Sequence, residues 1–417
     1  MSMPTVQSGT KENHDGLNTK PLSGGLILLM AVACGIAVSN LYYNQPLLAQ
    51  IAHSFHTTAK GVGTVSMLTQ IGYAVGMFLF VPLGDMRERR RLITILSLVV
   101  TVFLLSVALS ENLAWLYAAS LAVGLTTVVP QVIVPLAAQM APKESRGRVI
   151  GTVMSGLLIG ILLARTVSGF VGHSLGWRAM YWIAAGMMLL LAIALRAILP
   201  KSYPTHAMTY GQLMRSMGHL VASERTLREA ALVGAMQFGS FSVFWTSLAF
   251  FLEGAPYHLG SQAAGLFGLV GVVGASIAPV AGRMADRFRA KSLVGVAVLI
   301  TLLSFASFLV YGHLMWGLIV GVILLDMGVQ GAQILNQTRI YSLVPEARNR
   351  INTVYMVTSF LGGALGSTLG SMAWTTWGWT GVCIAGGSMV LAGFVVWTIH
   401  RSLDRMGAFR GSGRQVL

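Results

Sequence analysis

GDMRERRRL (84–92) and ADRFRAKSL (285–293) are the two stretches on which the fold turns. Each is a short burst of charge between long runs that carry none. Residues 61–84 and 92–110 flank the first, and 254–282 and 292–325 flank the second, without a single Asp, Glu, Lys or Arg. A helix that crosses a bilayer needs ~20 mostly apolar residues. The charged bursts therefore read as loops at a membrane surface, and the runs between them as spanning helices.

The rest of the chain agrees. Of its 417 residues, 55% are hydrophobic and 10% charged, against roughly 25% charged in a typical soluble domain. Mean hydropathy is +0.71. Further charge-free runs are 21–59, 112–142, 230–252 and 351–400. They predict twelve helices near 23–46, 62–83, 92–110, 113–139, 149–172, 179–199, 229–251, 263–283, 292–311, 316–340, 351–373 and 379–400. Residues 1–20 lack the order of a cleavable signal peptide. Residues 1–22 and 401–417 read as tails. Cys34 and Cys383 each fall inside an expected helix, so no disulfide framework is implied.

The formal net charge of +15 is explained by topology. With the N-terminus in the cytoplasm, 25 of the 28 Lys and Arg fall on the cytoplasmic side. That is the positive-inside pattern, and it predicts a multi-pass protein of the cytoplasmic (inner) membrane with both termini inside. No nucleic-acid partner is implied.

The halves repeat. Asp85 and Asp286 stand 201 residues apart, while Gly160 and Gly362, and Gly176-Trp177 and Gly378-Trp379, stand 202 apart. The division is an all-α pair of six-helix bundles, 23–199 and 229–400, joined by a linker at 200–228.

This organisation resembles the major facilitator superfamily of secondary transporters. Its signature after helix 2 runs Gly-x-x-x-Asp-Arg-x-Gly-Arg-Arg. Asp85, Arg89 and Arg90 match in the first copy, while Val81, Met86 and Glu88 depart. Gly282, Asp286, Arg287 and Lys291 match in the second, while Arg289 and Ala290 depart. The resemblance implies that Asp85, Arg89, Asp286 and Arg287 act as a latch between conformations; the plainer alternative is that the arginines only set topology. Helix 5 is similar to the drug/proton antiporter branch, whose pattern is Gly-x8-Gly-x3-Gly-Pro-x2-Gly-Gly. Gly151, Gly160 and Gly169 match, Ala164 and Ser168 keep the small size, and Arg165 stands where the pattern has Pro. Small residues at this spacing let a neighbouring helix approach closely. That branch also carries an Arg on helix 4, where this chain has Ser120.

Arg165 and Asp326 are the ionisable groups placed well inside the membrane. Such groups are expensive there and face a cavity or a partner. On helix 10, Asp326, Gln330, Gln333 and Gln337 fall on one helical face. These residues, with Asn40 and Tyr43 on helix 1, Gln131 on helix 4, and Gln237 and Trp245 on helix 7, are the expected substrate or proton cavity. A structural role for Arg165, bonded to carbonyls, and for Asp326, in an interhelix network, stays open.

The expected function is proton-coupled transport of a small organic molecule by alternating access, as an exporter, with an uptake symporter as the alternative. A receptor or channel is a remote alternative. No catalytic cluster, metal set or phosphate-binding loop is seen, so no enzyme, metal or cofactor is expected. A neutral or anionic substrate, protons and the bilayer are the expected partners, and a monomer the expected state.

Overall fold

A computed structural model describes residues 23–142, 145–203, 209–344 and 347–412; the side chains of 85, 278, 279, 285, 286 and 403–412 lie outside the described residues. The expected tail 1–22, the end of the other tail at 413–417, and the latch carboxylates of Asp85 and Asp286 therefore lie outside them too.

The chain is nearly all helical. In order, its helices are α1 (Gly24–Ser39), α2 (Leu48–Ser54), α3 (Ala59–Phe80), α4 (Arg89–Ala108), α5 (Leu113–Thr126), α6 (Val129–Met140), α7 (Arg146–Leu175), α8 (Trp177–Ile198), α9 (Tyr210–Ser223), α10 (Arg225–Glu253), α11 (Ser261–Ala275), α12 (Ala278–Arg287), α13 (Ala290–Tyr311), α14 (Met315–Tyr341) and α15 (Arg348–Ser412). Among the described residues, ten stretches are long and apolar enough to cross a membrane, and α1 is a shorter apolar helix. The longest stretch, Arg348–Ser402, contains a non-helical residue at Gly378 with φ 58°. Gly176, its counterpart in the first repeat, separates α7 from α8 with φ 81°. Both dihedrals lie where glycine alone rests without strain.

Several expected helices are broken, each beside a proline. The span expected at 23–46 ends as α1 at Ser39. The chain then turns through a short 3-10 segment, Gln45–Leu47, that contains Pro46, and resumes as α2. The span expected at 113–139 divides into α5 and α6 ahead of Pro130, and that at 263–283 into α11 and α12 ahead of Pro279. Proline removes a backbone donor and collides with the preceding turn. The linker holds α9, and α10 begins at Arg225 rather than 229. Thr209 and Gln212 form a reciprocal cap at the start of α9.

Two large apolar cores form, one mainly in α1–α8 but joined by Phe360 of α15, the other mainly in α10–α15 but joined by Ala49 of α2. A third, smaller cluster seats Leu220 of α9 against Leu227, Ile351 and Tyr355. Glycines set the closest crossings, and they recur between the halves. A Cβ on Gly160 would lie 2.3 Å from the carbonyl oxygen of Gly35, joining α7 to α1; a Cβ on Gly362 would lie 2.2 Å from that of Ala235, joining α15 to α10.

Candidate functional site

Where α7 passes the end of α1, the Arg165 side chain turns inward and is 1% exposed. Its Nε donates to Gln45 Oε1 at 2.7 Å. The guanidinium carbon lies 3.9 Å from the ring centroid of Trp245, 4.9 Å from that of Tyr42 and 5.2 Å from that of Phe241. Trp245 and Phe241 come from α10, so the guanidinium bridges the two bundles. Each desolvated cation–π contact of this kind is worth about 2 kcal/mol or more. Nη1 and Nη2 are buried and have no hydrogen-bond partner among the described residues.

Asp326 on α14 is also 1% exposed, and its Oδ2 is likewise unpartnered. Helix α11 runs between the two charges, and its glycines clear the space. Gly268 faces the Cβ of Arg165, while a Cβ on Gly271 would lie 3.1 Å from Asp326 Oδ2. Arg165 and Asp326 are close enough to interact electrostatically, yet none of the three unpartnered atoms is hydrogen-bonded to the other group.

The bundles are clasped on the side opposite the basic loops. There His53 meets Glu253 at 3.1 Å, and Gln50 donates to Ser261 Oγ at 3.0 Å. Ser261 in turn donates to the Gly169 carbonyl at 3.1 Å, and Thr166 to that of Gly265 at 3.1 Å. Nearer the middle, Gln70 donates to Ser367 Oγ at 2.7 Å and accepts from Ser242 Oγ at 3.2 Å.

The other expected cavity residues are more scattered. Asn40 and Tyr43 are buried, and both amide atoms of Asn40 are unpartnered. Gln237 is buried and donates to Thr301 Oγ1 at 3.0 Å. Gln131 is half-buried and donates to Tyr73 Oη at 3.1 Å. Gln330 and Gln333 are half-buried; Gln337, also half-buried, reaches Asn352 Oδ1 at 3.4 Å. Trp245 is thus the expected residue that meets Arg165 directly.

The packing frame of helix 5 needs one correction. Gly151 has open space around it, because α7 does not cross a neighbour there. Gly156 takes that role, since a Cβ on it would lie 2.3 Å from the Ala31 carbonyl oxygen. Gly160 packs on α1, and Gly169 packs on α11 at Ser261 and Gly265. Ala164 and Ser168 are buried between these contacts.

Arg89 donates through Nε to the Gly84 carbonyl at 2.8 Å and through Nη1 to Gln139 Oε1, both within the first bundle. Arg287 is exposed at the end of α12.

Sequence reasoning missed Gln45, Tyr42 and Phe241 as contacts of Arg165. One signal was present: Phe241 stands four residues before Trp245 and shares its helical face. It also missed Gln70, the one side-chain amide of α3.

The sequence model of the Major Facilitator Superfamily matches residues 27–367 and 230–415. "Uncharacterized transporter YgaY" of Escherichia coli O157:H7 is 43% identical over 93% of this chain and 97% of its own length. "Probable transporter SCO4007" of Streptomyces coelicolor is 36% identical over 95% of this chain and 93% of its own. More distantly, a "Probable sugar efflux transporter" of Helicobacter acinonychis is 23% identical over 78% of this chain and 82% of its own. Among solved structures, a peptide transporter POT variant in complex with alafosfalin superposes with a TM-score of 0.73 at 15% identity, covering 91% of this chain and 95% of that one. Matched along nearly its whole length, this multi-pass membrane chain is a transporter that belongs to the Major Facilitator Superfamily.

Proposed function

We propose that this transporter couples a small organic solute to protons by alternating access, with Asp326 as the proton carrier and Arg165 in the solute site. The observation that carries the reading is the pair itself. A buried carboxylate and a buried guanidinium, each with unpartnered atoms, flank glycine-faced α11 between the two bundles. Alternating access rocks one bundle against the other around a midplane site of this kind. The clasp opposite the basic loops corresponds to a state closed on that side. The skew of Lys and Arg supports placing the basic loops and both termini in the cytoplasm, with the chain in the bacterial inner membrane as a monomer.

Two directions follow from two different observations. The small-residue frame of α7 and the efflux name of the Helicobacter relative support export. The single positive charge of the site supports proton symport, since an anionic solute and Asp326 would share it.

Reconstituted vesicles test the coupling. Wild type is expected to accumulate solute under an imposed pH gradient. Asp326→Asn is expected to lose that accumulation and keep downhill exchange. Gradient-driven accumulation by Asp326→Asn would remove Asp326 as the carrier. Reporter fusions after residue 400 that are active only outside the cytoplasm would reverse the orientation.

A further inference from the structure

The guanidinium of Arg165 is an arginine fork with its two outer nitrogens empty. Nε is used by Gln45, and the faces of Trp245, Phe241 and Tyr42 surround the carbon. Nη1 and Nη2 remain, buried and unpartnered. Two parallel N–H donors on a planar cation fit a carboxylate in bidentate fashion. A neutral hydroxyl or amide oxygen can accept from the pair but brings no charge to meet the cation. The surrounding rings offer an apolar wall beside the fork. An amphipathic anion is the chemistry that matches both features.

Charge balance adds a second condition. Among the described residues, Asp326 interacts with the charge of Arg165, and Arg165 with Asp326 and the Tyr42 phenol. From α10 the neighbours are Trp245 and Phe241, from the turn after α1 Tyr42 and Gln45, and from α11 glycines. None of these neighbours supplies another positive charge. With Asp326 ionised, the pair is neutral overall. A carboxylate on the fork would leave a net negative charge in a dry site, where unpaired charge is costly. A proton on Asp326 restores neutrality.

We propose that the Arg165 cluster is a carboxylate site: Nη1 and Nη2 take the carboxylate of a small organic anion, Trp245 and Phe241 hold its apolar part, and one proton is taken up on Asp326 in the same event. The inference rests on the proton-coupling reading above and commits it to co-binding. Solute and proton then cross together, and the direction follows their summed gradients.

Titration calorimetry on the full-length protein in detergent tests it with three probes of like shape: benzoate, benzamide and benzylamine. Benzoate is expected to bind at least about tenfold more tightly than the other two. Its affinity should rise as pH falls, by no more than about tenfold per pH unit, the limit for one linked proton. Heats in buffers of different ionisation enthalpy should show proton uptake with benzoate. Asp326→Asn should bind benzoate without pH dependence and without proton uptake. Arg165→Gln should lose benzoate binding, and Arg165→Lys should keep a weakened part of it. If Arg165→Gln fails to fold, the Lys variant, the Asn variant and the matched probes still decide. Equal binding of benzamide, or benzoate binding in wild type without proton uptake, overturns the proposal. If benzoate fails to bind while vesicles show proton-driven flux of a neutral solute, the carboxylate site falls and the transport reading stands. If no solute flux follows protons, the transport reading itself falls.

Discussion

Gly160→Ala should destabilise the protein and disturb the site at a distance of one turn. The added Cβ would lie 2.3 Å from the Gly35 carbonyl oxygen, 2.4 Å from its Cα and 2.6 Å from its carbonyl carbon. All three are backbone atoms, so no side chain can swing aside. Ordinary van der Waals contact for a Cβ begins near 3.4 Å. The two helices must therefore part by roughly 1 Å at this crossing, losing close-packed contact over the adjoining turns. Overpacking of this kind costs about 1–3 kcal/mol. Gly151→Ala is the internal control. Nothing lies within 4 Å of that Cβ, and replacing a helical glycine with alanine is worth up to about 1 kcal/mol in the opposite direction. The assay is thermal unfolding of the two variants in one detergent, with solute flux measured in parallel. Gly160→Ala should unfold earlier and transport more slowly, because α1 also positions the turn that brings Gln45 to Arg165. Equal melting of the two variants would refute the close-crossing argument.

Three further outcomes follow from contacts away from the fork. Glu229 is buried at the start of α10, 3.0 Å from Arg339 and 3.3 Å from Lys291; Glu229→Gln removes the negative charge those cations share and should cost about 3 kcal/mol, a larger drop in melting temperature than Glu253→Gln, and equal drops would count against it. The exposed His53–Glu253 pair should contribute only about 0.2–1 kcal/mol and weaken with salt, so a His53→Ala variant that collapses in low salt would contradict that weight. Gln70→Leu removes both hydrogen bonds at the middle of the clasp and should shift the balance between states by about 1–3 kcal/mol, or 5–150-fold. Its readout is maleimide labelling of a cysteine placed at Ser371, which packs on Gly63; unchanged labelling would mean that the clasp does not depend on Gln70.

Much of this architecture was readable because membrane insertion is a strong filter on sequence. Charge-free runs marked the spans, and the repeat at 202 residues aligned Gly176 with Gly378, which adopt positive φ in both halves. The helix break at Pro46 was legible, but those at Pro130 and Pro279 were less so, since apolar residues continue through them and hydropathy does not register a missing N–H. The site was half legible. Burial of Arg165 and Asp326 follows from their depth in apolar helices. Their surroundings do not, because Gln45, Phe241 and Trp245 come from helices whose crossing angles are set by glycine contacts across the whole bundle. Gly151 shows the same limit: spacing alone could not say which small residues of α7 meet a neighbour.

The contacts of Arg165 bear on its role. An arginine at the centre of a spanning helix costs about 2.5–3.5 kcal/mol on insertion scales, and it cannot lose its proton to escape that cost. The stacked Trp245 face contributes about 2 kcal/mol or more, and the bond to Gln45 about 1.5–3 kcal/mol. Those two contacts alone offset the insertion cost to within a few kcal/mol. A guanidinium serving only to tie helices together would gain further by closing its fork on nearby carbonyls or on Asp326. Here the fork stays open, although Asp326 is within electrostatic reach and α11 is pared to glycine on both of its flanks. An unmade hydrogen bond on a buried charged donor is among the costlier features a fold can keep. Its place at the junction of two bundles fits the proposed carboxylate site, in which an arriving anion would close the fork.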